Sequence, residues 1–133
     1  MSMTDPVADL LTRIRNASKA KKNAVDIPAS RLKREIVRIL KEQRYIRDVV
    51  ELPDRKQGLL RVYLRYNRDD IPILKGIRRI SRPGLRQYYD IDRVRRSTFN
   101  TRGMIVVSTS NGVMTNFEAA HKGVGGEVLL HCW

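Results

Sequence analysis

The chain has a single cysteine, Cys132, among its 133 residues. No internal disulfide can form, and the composition fits a reducing cytosol. It has no run of about 18 apolar residues, so no membrane-spanning helix is expected. The opening Met-Ser-Met-Thr-Asp-Pro lacks the basic-then-apolar order of a secretory leader, and none is expected. Acids are scarce: 14 Asp and Glu stand against 27 Lys and Arg, a formal net charge of +13. A metal or catalytic centre is also missing. His131 and Cys132 are neighbours on an expected strand and point to opposite faces, and His121 brings no partner base. Asp69-Asp70 fall in an expected linker, and Asp90 and Asp92 lie among arginines. An RNA-processing nuclease would need paired acids or a placed histidine, and neither constellation is assembled. No catalytic residue, metal, cofactor or small-molecule substrate is therefore expected, and no internal repeat or low-complexity segment occurs.

The hydrophobic content of 41% is too high for a disordered tail. A chain of this length supports one domain, or two small lobes sharing an interface. The pI of about 10.6 calls for a polyanionic partner. The charge is unevenly spread. Residues 1–102 hold 26 bases and 12 acids, a net of +14, whereas residues 103–133 hold Lys122 against Glu118 and Glu127, a net of −1. Bases on phosphate give affinity without sequence information, while hydroxyls, amides and exposed backbone can read a particular surface. The near-neutral C-terminal segment is thus the candidate reading part.

Apolar spacing predicts an α+β fold of two small lobes. Asp5-Pro6 opens a helix with Val7, Leu10, Leu11 and Ile14 on one face. Ala24–Ile27 reads as a short strand stopped by Pro28. Ser30 caps a second helix with Leu32, Ile36, Ile39 and Leu40 inward. Two strands follow, Tyr45–Leu52 and Leu59–Tyr66, joined by a hairpin loop through Gly58; Leu60, Val62, Leu64 and Tyr66 share one face. The N-terminal lobe, residues 1–70, is therefore α-β-α-β-β. The C-terminal lobe, residues 71–133, is mostly β with one or two short helices. Its clearest signals are the apolar strand Met104–Val107, a short helix capped by Thr115 and ended by Gly123, and a closing strand Glu127–Trp133. Between them, Arg78–Arg102 is dense in arginine.

The cluster Ser108-Thr109-Ser110-Asn111-Gly112 is the leading candidate for recognition. Short hydroxyls donate and accept, and they approach closely the shallow groove, bulges and splayed bases by which RNA is read. The plain alternative is a strand end turning through Asn111-Gly112. Tyr88 can stack on a base or ribose, unless it or Tyr89 is a core aromatic. Arg82-Pro83-Gly84 reads as a turn that places Arg82, with a phosphate contact as a secondary role. Gly123, Gly125 and Gly126 follow a helix and precede a strand, the reverse of a nucleotide-binding loop. They suit a helix end and a close approach of backbone to RNA or to Ser108–Ser110. Glu127 would accept hydrogen bonds from loop hydroxyls or a base amino group. Arg13, Arg15, Asn16, Lys33 and Arg34 form basic helix faces, each alone a solvated face and together a phosphate-contacting set.

Four motifs in order resemble one family, the bacterial small-subunit ribosomal protein number eight. They are Thr4-Asp5-Pro6-Val7-Ala8-Asp9-Leu10-Leu11-Thr12-Arg13-Ile14-Arg15-Asn16-Ala17; Ile80-Ser81-Arg82-Pro83-Gly84-Leu85-Arg86 with Tyr88; the Ser108–Thr115 stretch; and Gly123-Val124-Gly125-Gly126-Glu127-Val128. The resemblance covers nearly the whole chain. It implies a two-lobed α+β protein in the cytoplasmic ribosome, bound directly to a helix of small-subunit (16S) ribosomal RNA. It implies a primary-binding role in assembly of the subunit's central region, with other small-subunit proteins as neighbours. It also leaves room for a second RNA target in the protein's own operon message, where binding would repress translation. On this reading Arg82, Arg86 and Tyr88 join the Ser108–Gly112 and Gly125–Glu127 segments as RNA contacts. Two features depart from the family pattern. Asn111 stands where lysine is common, and Tyr89–Arg102 lacks the usual acidic-Leu-Pro and Gly-Leu-Gly pattern. The rival without a reading site is a chromatin-type protein that binds any duplex alike.

Overall fold

The structure, a computed structural model, describes residues 5–133. Residues 1–4, where the missing leader pattern and the first residue of the opening motif fall, lie outside the described residues. The chain divides into two compact units, one spanning Pro6–Lys75 and the other Gly76–Trp133 together with Asp5.

The first unit runs α1 (Pro6–Lys19), β1 (Ala24–Pro28), α2 (Arg31–Glu42), β2 (Ile46–Leu52) and β3 (Leu59–Leu64). This is the predicted α-β-α-β-β order. The strands form an antiparallel sheet in the order β1-β3-β2. The period of each element decides which side chains are inside. On α1, Val7, Leu10, Leu11, Ile14 and Ala17 are buried, and on α2, Ile36, Val37, Ile39 and Leu40. On β3 the alternate residues Leu60, Val62 and Leu64 are buried. Each full burial of such a side chain contributes about 1.5–3 kcal/mol. Ser30 caps α2 by accepting the Lys33 N–H. In the loop between β2 and β3, the Asp54 carboxylate accepts N–H groups of Lys56 and Gly58, which closes the turn. Tyr66 lies beyond β3, half-buried, and bridges to Pro72.

The second unit runs β4 (Ile77–Arg79), β5 (Tyr88–Tyr89), α3 (Ile91–Asn100), β6 (Met104–Thr109), β7 (Gly112–Thr115), α4 (Asn116–Lys122) and β8 (Gly126–Cys132). Its antiparallel sheet has the order β4-β8-β6-β7, with β5 also pairing to β8. The apolar run Met104–Val107 is fully buried, as are Val128, Leu129, Leu130 and Cys132. Burial pushes the Cys132 thiol up to about 12, so it is an inert packing group. Thr115 caps α4 by accepting the Glu118 N–H, and Gly123 ends it in a left-handed conformation at φ 70°.

One element, α3, goes beyond the sequence reading. Asp90 caps it by accepting the Arg93 N–H. Val94 and Ser97 face inward, and Val94 packs with Met114 and Ala119. Asn116 connects the pieces. It is 1% exposed, its Oδ1 accepts the Ile105 N–H, and its Nδ2 donates to Ser97 Oγ. A buried amide so satisfied fixes α3 against the start of β6 and of α4.

Candidate nucleic-acid interface

The candidate residues of the second unit meet along neighbouring strands. Tyr88 pairs with Glu127 across β5 and β8, and Glu127 pairs with Ser108 across β8 and β6. Residues directly opposite share a face of the sheet, so Tyr88, Glu127 and Ser108 form a row on one face. Tyr89 and Gly126, the next pair, belong to the other face. There Tyr89 packs against the cluster of Val94, Met114 and Ala119 and that of Ile105, Val107 and Val128, while Tyr88 is 65% exposed. The alternation separates the core tyrosine from the open one.

Two glycines make this strand packing possible. A Cβ on Gly126 would lie 2.2 Å from the Ser108 carbonyl oxygen, and one on Gly125 would lie 2.3 Å from that of Tyr89. The expected close approach of backbone to Ser108 is thus present within the protein itself. Gly112 is different: its φ of 110° is required by the hairpin, and open space surrounds it.

Ser108–Gly112 is the turn of the β6–β7 hairpin. Thr109 pairs with Gly112, leaving Ser110 and Asn111 as the two tip residues, both exposed. The Thr109 hydroxyl donates to the Gly112 carbonyl at 2.8 Å and accepts the Asn111 N–H at 3.0 Å. It therefore holds the turn, while Ser110 is exposed and Ser108 is half-buried in the row.

Glu127 also differs from expectation. Its Oε2 accepts not from the Ser108–Ser110 hydroxyls but from Ser81 Oγ at 2.6 Å and Arg86 Nη1 at 2.9 Å. Ser81 is fully buried and its oxygen also accepts the Gln87 N–H. Burial alone would raise the Glu127 carboxyl, but the Ser81 and Arg86 hydrogen bonds outweigh it and hold the group below its ordinary value. Glu127 thus ties down both ends of the Ser81–Gln87 loop. Arg82 and Leu85 close that loop's tip with mutual backbone hydrogen bonds around Pro83-Gly84. Arg82 stands exposed at the tip, with Leu85 beside it at 66% exposure.

The basic residues of the first unit fall into distinct states. Arg13 pairs with Asp9 and donates to the Asp26 carbonyl, and Arg34 pairs with Glu51. Both remain more than 40% exposed, so their outer N–H groups stay accessible. Arg15 and Asn16 are exposed on α1. Lys33 corrects the sequence reading: it is 5% exposed, and its ammonium donates inward to the Pro28 carbonyl. The ammonium is committed to the end of β1, so this cation is structural.

Among the described residues no group of three or more His, Cys, Asp or Glu is placed to hold a metal, and no helix is long and apolar enough to cross a membrane. What the second unit offers is a sheet face with an open tyrosine, a hydroxyl hairpin tip and a braced basic loop. Comparison with known proteins decides the identity of this arrangement: a family model described as ribosomal protein S8 matches residues 5–133. The chain belongs to the ribosomal protein S8 family. It is 48% identical over 133 residues to the small ribosomal subunit protein uS8 of Levilactobacillus brevis. It is 51% identical to that of Leuconostoc citreum and 50% to that of Natranaerobius thermophilus. All three alignments cover 100% of both chains. As an S8-family member it is a structural ribosomal protein of the small subunit, not an enzyme.

Proposed function

We propose that this chain binds small-subunit ribosomal RNA directly, and that the row Tyr88–Glu127–Ser108 with the Ser110-Asn111 tip is the surface that reads it. The cross-strand register that places these three side chains together carries the proposal. Tyr88 supplies a stacking ring, and Ser110 and Asn111 supply short donors and acceptors at an exposed turn. Glu127 acts as a brace, holding Arg86 and the Ser81–Gln87 loop in place rather than meeting the RNA with its own charge. Arg82, at the loop tip, takes phosphate. Gly125 and Gly126 serve by letting the strands approach. On the first unit, Arg13, Arg15, Asn16 and Arg34 attract and position the RNA backbone. In the cytoplasmic ribosome such binding would order the central region of the subunit and create contacts for neighbouring ribosomal proteins.

Binding of the purified protein to small-subunit ribosomal RNA, random structured RNA and duplex DNA across roughly 0.05–0.3 M salt tests this, because non-specific binding collapses over that range. Ribosomal RNA should alone be retained at the high end. Parallel collapse on all three would refute a reading surface and favour the general nucleic-acid binder. Adding the protein's own operon message as a fourth ligand tests translational repression, which requires retention of that message as well.

A further inference from the structure

The segment that departs from the family pattern folds into α3, and α3 presents a surface that the row above does not use. Its inner side is filled by Val94 and Ser97. Its outer side carries Phe99, 83% exposed and the most exposed large apolar side chain among the described residues. One exposed apolar residue is ordinary on a protein surface. The setting of this one is not. Arg95 and Arg96 lie four and three residues before it on the helix, the spacing of neighbouring positions, with the Arg95 guanidinium passing Gly123 at the end of α4; Arg102 follows just past the helix end. Arg13, Arg34, Arg38, Arg61, Arg79 and Arg86 each pair with a carboxylate. Among the described residues, no ion pair engages Arg95, Arg96 or Arg102. The helix's acids are at its other end, Asp90 occupied as the cap and Asp92 in the first turn.

A groove runs along the same helix, lined by Tyr89, Arg93, Arg96, Ser97, Asn100 and Thr101. The Arg93 guanidinium lies 4.0 Å from the Tyr89 ring centroid, which holds it at the groove edge. Arg96, three residues before Phe99 on the helix, lines this groove together with Asn100. A protein partner would be expected to meet an apolar centre depleted of charge. Here one ring stands among unpaired cations, which is the composition of a single-strand nucleic-acid platform.

We propose that α3 is a second RNA contact, separate from the hairpin row. Phe99 stacks on an unpaired base, Arg95, Arg96 and Arg102 take the flanking phosphates, and the groove beside Arg93 receives the continuing strand. This rests on the reading of the chain as a ribosomal RNA binder. It adds to that reading a segment where the family pattern gives no guidance.

The test uses the full chain and small-subunit ribosomal RNA, with wild type, Phe99→Ala, Phe99→Trp, the double variant Arg95→Ala/Arg96→Ala, and Ser110→Ala. Equilibrium binding and nucleotide-resolution footprints are read for each. Phe99→Ala should weaken binding roughly 5- to 150-fold, the range for losing one stacked base. It should erase one group of protected, unpaired nucleotides while the Ser110-dependent group persists. Ser110→Ala should do the reverse. Phe99→Trp should retain the footprint, and the double arginine variant should lower the salt slope by about one to two. Wild-type affinity and footprint in Phe99→Ala would overturn the proposal. So would loss of the Ser110-dependent protections, which would make α3 a mere support. Intact RNA binding with failure to recruit a neighbouring ribosomal protein would assign the face to protein instead. Wild-type protein that prefers no RNA would remove the underlying reading, and α3 with it, before any variant is compared.

Discussion

Ser81 and Glu127 are joined by a 2.6 Å hydrogen bond from hydroxyl to carboxylate, across 46 positions of sequence. The same carboxylate oxygen holds Arg86. Through these two bonds β8 fixes the shape of the Ser81–Gln87 loop, and with it the placement of Arg82 and Tyr88. An acid in a basic protein therefore has a physical role: it orders the cations of the loop beside it.

Glu127→Gln should reveal this through pH. The folded carboxyl titrates below its ordinary value, so its stabilising effect is present above the unfolded value and is lost as pH falls through the folded one. At neutral pH the variant should be less stable by about 1–2 kcal/mol, the worth of a charge-assisted hydrogen bond at a half-buried site. The gap should close on acidification below about pH 4, where a protonated glutamate resembles glutamine. Denaturant unfolding of both proteins between neutral and acid pH measures it. The other carboxylates titrate in both chains and cancel. A gap that stays constant would contradict the brace.

Gly126→Ala places a methyl group 2.2 Å from the Ser108 carbonyl. Backbone, not a flexible side chain, lies in the way, so β6 and β8 must separate. A loss of about 1–3 kcal/mol is expected, as for overpacked interiors, with a larger loss of RNA affinity because Ser108 and the hairpin move together. Unfolding midpoints and RNA titrations on the same preparations check both, and a variant with wild-type values in each would show that the strands yield easily.

Much of this was readable from the residues because periodicity and caps are local. The apolar spacing of α1 and α2, the alternation of Leu60, Val62 and Leu64, and the caps at Ser30 and Thr115 all lie within a few positions of one another. α3 was harder to read. Its inward face is only Val94 and Ser97, too short a pattern amid arginines, although Asp90 three residues before Arg93 was an available capping signal. The partners of Glu127 and the inward turn of Lys33 depend on strands brought together from distant sequence, which no local pattern records. Thr109 belongs to both kinds: its cluster was visible, but the turn that occupies its hydroxyl appears only with the hairpin register.

On the proposed RNA surface, Ser110 is the residue that can separate reading from attraction. It carries no charge and stands exposed at the hairpin tip. Ser110→Ala should weaken binding to small-subunit ribosomal RNA by about 1–3 kcal/mol, the cost of polar groups left unpaired in the bound state. The salt dependence should stay nearly constant, since no phosphate contact is removed. Titrations at several salt concentrations give both quantities at once, and unchanged specific affinity would remove Ser110 from the reading surface.

Lys33 and Arg15 are both basic helix residues, and they should behave oppositely. Arg15 is exposed on α1; Arg15→Ala should weaken all RNAs alike and reduce the salt slope by about one, as for a lost phosphate contact. Lys33 is buried with its ammonium on the Pro28 carbonyl at 3.1 Å. Its stem is buried, so Lys33→Ala should cost about 1–3 kcal/mol of stability through lost packing and an unpaired carbonyl. The salt slope of the folded variant should match wild type. The two measurements, unfolding and salt-dependent RNA binding, should thus respond to one substitution each. If Lys33→Ala lowered the salt slope as much as Arg15→Ala does, its ammonium must turn outward to meet RNA, and the inward hydrogen bond would not survive in the complex.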